Sequence, residues 1–181
     1  MLHTLKAWIK FCIAASIAVL LSAIPMFHLK AQDIPTSAEY ALITDFDSGL
    51  VLLEKNADIP MKPASMAKIM TVYIAFSRIA EGSLSFDDMF VISEKAWKMG
   101  GPRSFLNAGA RYTLDELLHG IIVQSGNDAA VALAEGISGS EENFAAEMNA
   151  MAAKLGMKNT YFPNATGWPH QDITTTARDL E

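Results

Sequence analysis

The run Ala129-Ala-Val-Ala-Leu-Ala134 sets six apolar residues side by side with no polar face, and it constrains the fold more than any other feature of the chain. A helix that is apolar all round must be enclosed on most sides, so the segment from Asp128 to about Ile137 predicts a central helix with other elements around it. The neighbours declare themselves through their caps. Thr113, with Glu116 three residues later, forms a capping box for a helix from Leu114 to Val123 that turns Leu117, Leu118, Ile121 and Ile122 toward the core. Ser140 caps a further helix running to Leu155, with Glu141 and Glu142 in its first turn, where negative charge suits the helix dipole, and Gly156 at its end.

Upstream of this cluster, the β-prone runs Ala41–Phe46 and Leu50–Glu54 flank Asp47-Ser48-Gly49 and predict a hairpin, with Asp45 and Asp47 as strand-end and turn residues. A loop at 56–60 leads into a helix that Pro63 opens and Gly82 closes. A short strand from Asp87 to Ile92, a short helix from Ser93 to Met99 and a turn at Gly100-Gly-Pro102 complete the middle of the chain. The tail Tyr161–Pro169 is irregular, and a last helix is expected from Thr175 or Thr176 to Glu181. A domain rarely stops one turn into a helix, so the expectation is that the domain continues past Glu181. No internal repeat or low-complexity tract interrupts the reading.

With 181 residues, 51% hydrophobic and 19% charged, the chain is long enough for one domain with a sizeable core. Its first thirty residues differ from the rest: Lys6 and Lys10 precede a nearly uncharged stretch from Phe11 to Phe27. The apolar run is shorter than the roughly 20 residues a membrane-spanning helix needs, which favours a secretory signal peptide over residues 1–31, cut after Ala31. Removing it takes three lysines and no acid, moving the formal charge from -6 to -9. Such an acidic chain lacks the basic footprint that nucleic acid requires. Cys12 is the only cysteine and lies in the signal, so the exported part has neither disulfide nor thiol nucleophile.

The chemistry centres on Lys62-Pro-Ala-Ser-Met-Ala-Lys-Ile-Met-Thr71. Ser65 and Lys68 are three residues apart on a helix start, so hydroxyl and amine share one face. A serine becomes a nucleophile when a neighbouring base takes its proton, and lysine serves as that base when burial lowers its pKa. The apolar followers Ile69, Met70, Val72 and Ile74 supply such a setting. The pair points to serine acyl transfer. A second polar element, Ser125-Gly126-Asn127, falls in the loop before the apolar helix. Other polar residues are read more plainly: His119 as a surface histidine, His170 as a lone imidazole short of a zinc ligand set, Arg103 as a loop arginine at the cleft or in solvent, and Met66 as core or cleft floor.

Hairpin, Ser-x-x-Lys helix and Ser-Gly-Asn loop, in that order, resemble the serine-type D-Ala-D-Ala carboxypeptidases, the low-molecular-mass penicillin-binding proteins of peptidase family S11. The resemblance rests on Glu54-Lys-Asn-Ala-Asp58, Pro63–Thr71, Gly120–Ala130, Ala132-Leu-Ala-Glu135, Met148-Asn149, Leu155-Gly-Met157 and Asn164-Ala-Thr-Gly167, and it covers nearly all of the chain after residue 31. It implies an α/β (α+β) fold of the β-lactamase/transpeptidase type, an antiparallel sheet with a helical subdomain, of which residues 32–181 are the N-terminal part. It further implies Ser65 as acyl-ester nucleophile, Lys68 as general base, Ser125 as proton relay and Asn127 as the group that positions substrate. The implied partners are peptidoglycan stem peptides ending in D-Ala-D-Ala, with β-lactams as inhibitors, no cofactor and no metal. The location implied is the periplasm or cell envelope, with peripheral inner-membrane association through a C-terminal region.

The third element of that family, Lys-Thr-Gly, does not occur in the chain. The expectation is that it lies beyond Glu181, that residues 32–181 alone are inactive or nearly so, and that Lys68 is a weaker base without that second cation. A class A β-lactamase shares the first two elements, but the stretch 159–169 holds no acid to activate a deacylating water. A D,D-endopeptidase differs only in cleft shape. A catalytically dead envelope-binding module is the non-enzyme alternative, and the presence of Ser65, Lys68, Ser125 and Asn127 together speaks against it.

Overall fold

The computed structural model describes residues 34–181, so the signal peptide over 1–31 lies outside the described residues. Within the unit Pro35–Glu181, strands β1 (Ala41–Thr44) and β2 (Val51–Lys55) pair antiparallel, with a register shift at Ile43/Thr44. Their connection is a local hydrogen-bonded turn. The Asp45 carboxylate accepts from the Ser48 amide, Gly49 returns its N–H to the Asp45 carbonyl, and Gly49 takes φ +67°, a conformation that suits glycine. The Ser48 hydroxyl and amide hold the Asp45 carboxyl below the usual range.

A 3-10 turn, Ala64–Ala67, leads directly into α1 (Lys68–Ala80), which ends with Gly82 at φ +75°. Strand β3 (Met89–Val91) is followed by α2 (Glu94–Trp97), capped by the Ser93 hydroxyl. Strand β4 (Arg111–Thr113) pairs antiparallel with β3 and runs straight into α3 (Leu114–Gln124), whose Thr113/Glu116 capping box is formed as expected. After a two-residue break come α4 (Asn127–Ser138) and α5 (Glu141–Leu155), the latter capped by Ser140 and closed by Gly156 at φ +83°.

Helix α4 is the hub. It packs against α1, α2, α3, α5 and β3, and every residue from Asn127 to Ala134 is buried. The small side chains of Ala129, Ala130, Ala132 and Ala134 let its neighbours approach closely, and Leu117, Phe144, Met148 and Phe162 fill the space around it. Burying such a set removes several hundred Å² of apolar surface from water, at about 25 cal/mol per Å². This helical cluster is the platform from which the candidate site hangs.

Two expectations need correction. Ile122 is 59% exposed and not in the core, because successive helical positions are turned by 100° and Leu117, Leu118 and Ile121 already fill the inward stripe. The last helix is absent too. Thr174 and Thr175 bridge to Tyr161 and Met61 as extended backbone, and the Asp179 carboxylate accepts from the Asn159 amide and the Thr160 hydroxyl. The Thr175 backbone and the Asp179 carboxylate are engaged by distant segments, leaving one turn in which the Thr176 hydroxyl caps the Asp179 amide and the Leu180 amide reaches the Thr176 carbonyl. Strand β4, not expected from the sequence, takes the place of a plain loop before α3.

Candidate active site

Ser65 lies in the 3-10 turn and Lys68 is the first residue of α1, so the i, i+3 spacing is realised, and Lys68 Nζ donates to Ser65 Oγ at 3.3 Å. Ser65 is exposed, whereas Lys68 is only 4% exposed. The same Nζ donates to the Thr166 carbonyl at 2.8 Å, which aims the amine back at the hydroxyl. Desolvation by burial pushes the Lys68 pKa down from 10.5 to about 8. At pH 7.5 about a quarter of such a lysine is neutral, against about one in a thousand for an ordinary one.

The segment that supplies the Thr166 carbonyl is folded by its own chemistry. Asn164 Oδ1 accepts from the amides of Thr166, Gly167 and Trp168 and from the Thr166 hydroxyl, an Asx-type turn of the sort asparagine favours. The Thr71 hydroxyl donates to the Ala165 carbonyl at 2.7 Å, and Lys62 Nζ donates to the carbonyls of Gln171 and Ile173, both at 2.7 Å. Gly167, at φ +76°, lies so close that a Cβ there would sit 1.7 Å from the Ala64 carbonyl oxygen. Ala64 itself has φ +47°, which costs a residue with a Cβ about 1 kcal/mol. The backbone is therefore held in an uncommon conformation immediately before Ser65.

Ser125 shows the same signature. It ends α3 at φ +55°, and the amides of Ser125 and Gly126 both return to the Gly120 carbonyl. That is a helix end at which glycine is usual. A serine in this place puts its side chain into the pocket that Ser65, Lys68, Ile69, Val72, Ile121 and Ile122 complete, of about 330 Å³. A larger hollow of about 570 Å³ shares only Ile69 with it and is lined by Asp58, Tyr73, Arg178 and Asp179, among others, with no hydroxyl beside a buried amine. Size therefore does not locate the chemistry.

Three of the four expected site residues thus meet in one pocket. Asn127 does not line it: the residue is 3% exposed at the start of α4, with Nδ2 donating to the Gly100 carbonyl at 2.7 Å. Met66 is 42% exposed and is neither core nor pocket wall. Arg103 is partly covered, with Nη2 donating to the Trp97 carbonyl and its guanidinium stacked over Phe105. His119 is exposed on α3, and His170 pairs only with Asp172. Sequence reasoning missed the Thr166 carbonyl, Gly167, Thr71 and Lys62. The Asn164-Ala-Thr-Gly167 run carried a turn signal, but nothing in it said which residue the turn would face.

A serine hydroxyl beside a buried lysine amine on a helix start, with a second serine lining the same pocket and a helical hub behind both, is an arrangement that can support serine acyl transfer. The chain belongs to the D-alanyl-D-alanine carboxypeptidase family, whose model matches residues 28–181. It is 41% identical over 151 residues to the D-alanyl-D-alanine carboxypeptidase DacF of Bacillus subtilis, covering 83% of this chain and 39% of that protein. A D-alanyl-D-alanine endopeptidase of Pseudomonas aeruginosa is 33% identical over 141 residues, covering 77% of this chain and 44% of the relative. The fold is similar to that of the crystal structure of D-alanyl-D-alanine carboxypeptidase DacD from Francisella tularensis, with TM-score 0.81 and 41% identity over 84% of this chain and 37% of that one. The chain thus spans about two fifths of the length of these relatives.

Proposed function

We propose that residues 32–181 are the N-terminal part of the catalytic domain of a serine-type D-Ala-D-Ala carboxypeptidase, which removes the terminal D-alanine from peptidoglycan stem peptides. The observation that carries this reading is the Ser65 Oγ–Lys68 Nζ contact of 3.3 Å, with the lysine buried and its pKa brought to about 8. Neutral Lys68 takes the Ser65 proton as Oγ attacks the carbonyl carbon between the two D-alanines. The C–N bond then breaks, and Ser125 relays a proton to the departing amine. A water resolves the Ser65 ester, releasing the shortened peptide and restoring the hydroxyl. Ser65 N–H belongs to the first turn of the 3-10 segment, where donors lack an intrahelical partner, and is assigned to the oxyanion. Asn127 is assigned the substrate backbone through Oδ1, since Nδ2 is engaged by Gly100.

β-Lactams would acylate the same serine, and the Lys-Thr-Gly element is assigned to sequence following Glu181. The protein would act after export, in the bacterial envelope, with membrane association through the same downstream region. The endopeptidase relative favours one second reading, cleavage of a cross-link with the same residues. The test is release of free D-alanine from a stem-peptide analogue ending in D-Ala-D-Ala, against cleavage of a cross-linked dimer, by the full-length protein. Release of D-alanine that is lost in Ser65→Ala supports the carboxypeptidase. Cleavage of the dimer alone supports the endopeptidase, and neither activity in a folded protein overturns both.

A further inference from the structure

Asp128 follows the Ser125-Gly126-Asn127 element and has no exposed surface. Its carboxylate is wholly occupied with the backbone: Oδ1 accepts from the Ser104 amide at 2.8 Å and from the Ala129 amide at 2.9 Å, and Oδ2 accepts from the Leu106 amide at 3.2 Å. The Arg103 Nε approaches to 3.9 Å. Asn127 grips the same loop, its N–H donating to the Pro102 carbonyl at 2.8 Å and its side chain to Gly100. Two adjacent residues at the start of α4 therefore clasp 100–106.

The clasp has a mechanical consequence at the turn that carries Ser125. Ser104, whose amide Asp128 holds, presses its side chain into the gap between Gly120 and Gly126: a Cβ on either glycine would meet Ser104 Oγ at 2.3 Å or 2.2 Å. Among the described residues, that Oγ is one of two buried side-chain polar atoms without a hydrogen-bond partner. A buried hydroxyl without a protein partner is kept where the surrounding structure over-determines its place. Gly120 supplies the carbonyl that closes the Ser125 turn, and Gly126 is the next residue after Ser125. The wedge bears on both ends of the left-handed turn.

We infer that Asp128 is a positioning residue for the reaction: by fixing the Arg103–Leu106 loop it seats Ser104 against Gly126 and so holds Ser125 in its left-handed conformation at the pocket. This rests on the reading of Ser65 as the acylated residue. The test measures benzylpenicillin acylation of the full-length protein carrying Asp128→Asn, Asp128→Ala, Gly126→Ala or the pair Gly126→Ala with Ser104→Gly, with a melt of each sample. Asp128→Ala is expected to slow acylation at least tenfold in the folded protein, and Asp128→Asn, which keeps one acceptor, to slow it less. In both, the rate should still rise through the pH set by Lys68. Gly126→Ala should slow acylation with Asp128 untouched, and Ser104→Gly should restore part of the rate, a rescue that general destabilisation would not give. If Asp128→Ala does not fold, the Asp128→Asn rate and the glycine rescue decide. Unaltered acylation in folded Asp128→Asn and Gly126→Ala, or losses that merely track the unfolded fraction, would overturn the inference. A wild-type protein with no Ser65 adduct would instead overturn the underlying reading, and this inference with it.

Discussion

Around Ser65 the chain is tied down by side chains reaching some hundred residues ahead: Lys62, Lys68 and Thr71 donate to carbonyls between Ala165 and Ile173, and Gly167 seats against Ala64. The β1–β2 hairpin is held mainly by backbone pairing, and Ile43, Phe46, Leu50, Val51 and Leu52 are all exposed, Phe46 completely. Arg178 ties the end of β2 and the loop after it to the tail, through surface ion pairs with Glu54 and Asp58 and through its N–H on the carbonyl of buried Ala57. One region spends side-chain entropy and backbone strain to fix a geometry. The other follows local turn chemistry and contributes little to the described core. The contrast separates what the site requires from what the fold tolerates, because strain persists only where the surroundings over-determine it.

The comparison breaks most sharply at Gly167. Gly167→Ala would drive a Cβ into the Ala64 carbonyl at a position with φ +76°, so urea unfolding should show a loss on the order of 3 kcal/mol or more, together with loss of acylation. A fully stable Gly167→Ala would mean that the turn before Ser65 is not held as described.

A middle-sized effect sharpens the contrast between function and stability. The folded-state pKa of Lys68, about 8, lies below its unfolded value of 10.5, so the unfolded chain binds more protons between those limits and stability rises with pH across that window. Below pH 8 the buried ammonium is a burden of the folded state. Lys68→Met should therefore stabilise the protein at pH 7 by about 1–3 kcal/mol, offset in part by the lost bond to Thr166, while abolishing acylation. The gain should shrink as pH rises from 8 to 10.5. In the unmutated protein, acylation should climb about tenfold per pH unit below 8 and level above it, as the neutral amine becomes the major form. A profile flat from pH 6 to 10 would contradict the role of Lys68.

The smallest effect belongs to the hairpin. Phe46→Ser, at a fully exposed position, should shift the stability of residues 34–181 by no more than about 0.5 kcal/mol by denaturant midpoint. A larger loss would show that the hairpin is packed in solution.

What the sequence revealed follows the same division. Features fixed by local chemistry were legible: the capping box at Thr113, the caps at Ser140 and Gly156, the Asp45–Gly49 turn and the enclosure of Ala129–Ala134. The Ser65/Lys68 pair was legible because its three-residue spacing is itself local. Features set by distant partners were not. Thr175 reads as a helix cap until Met61 captures it in a bridge. Ile122 reads as core because an apolar residue beside an inward stripe looks the same whether it faces the interior or a cleft wall. The Thr166 carbonyl that aims Lys68, and the loop amides that occupy Asp128, are backbone groups and carry no residue-type signal.

The central claim, that Ser65 is the nucleophile activated by Lys68, is tested most directly by intact-mass and peptide-mapping analysis of the full-length protein after benzylpenicillin, alongside Ser65→Ala and Lys68→Met. The account predicts one covalent penicilloyl adduct on the peptide containing Ser65, absent from both variants although each melts cooperatively. An adduct on another residue, or one that persists in Ser65→Ala, would contradict it.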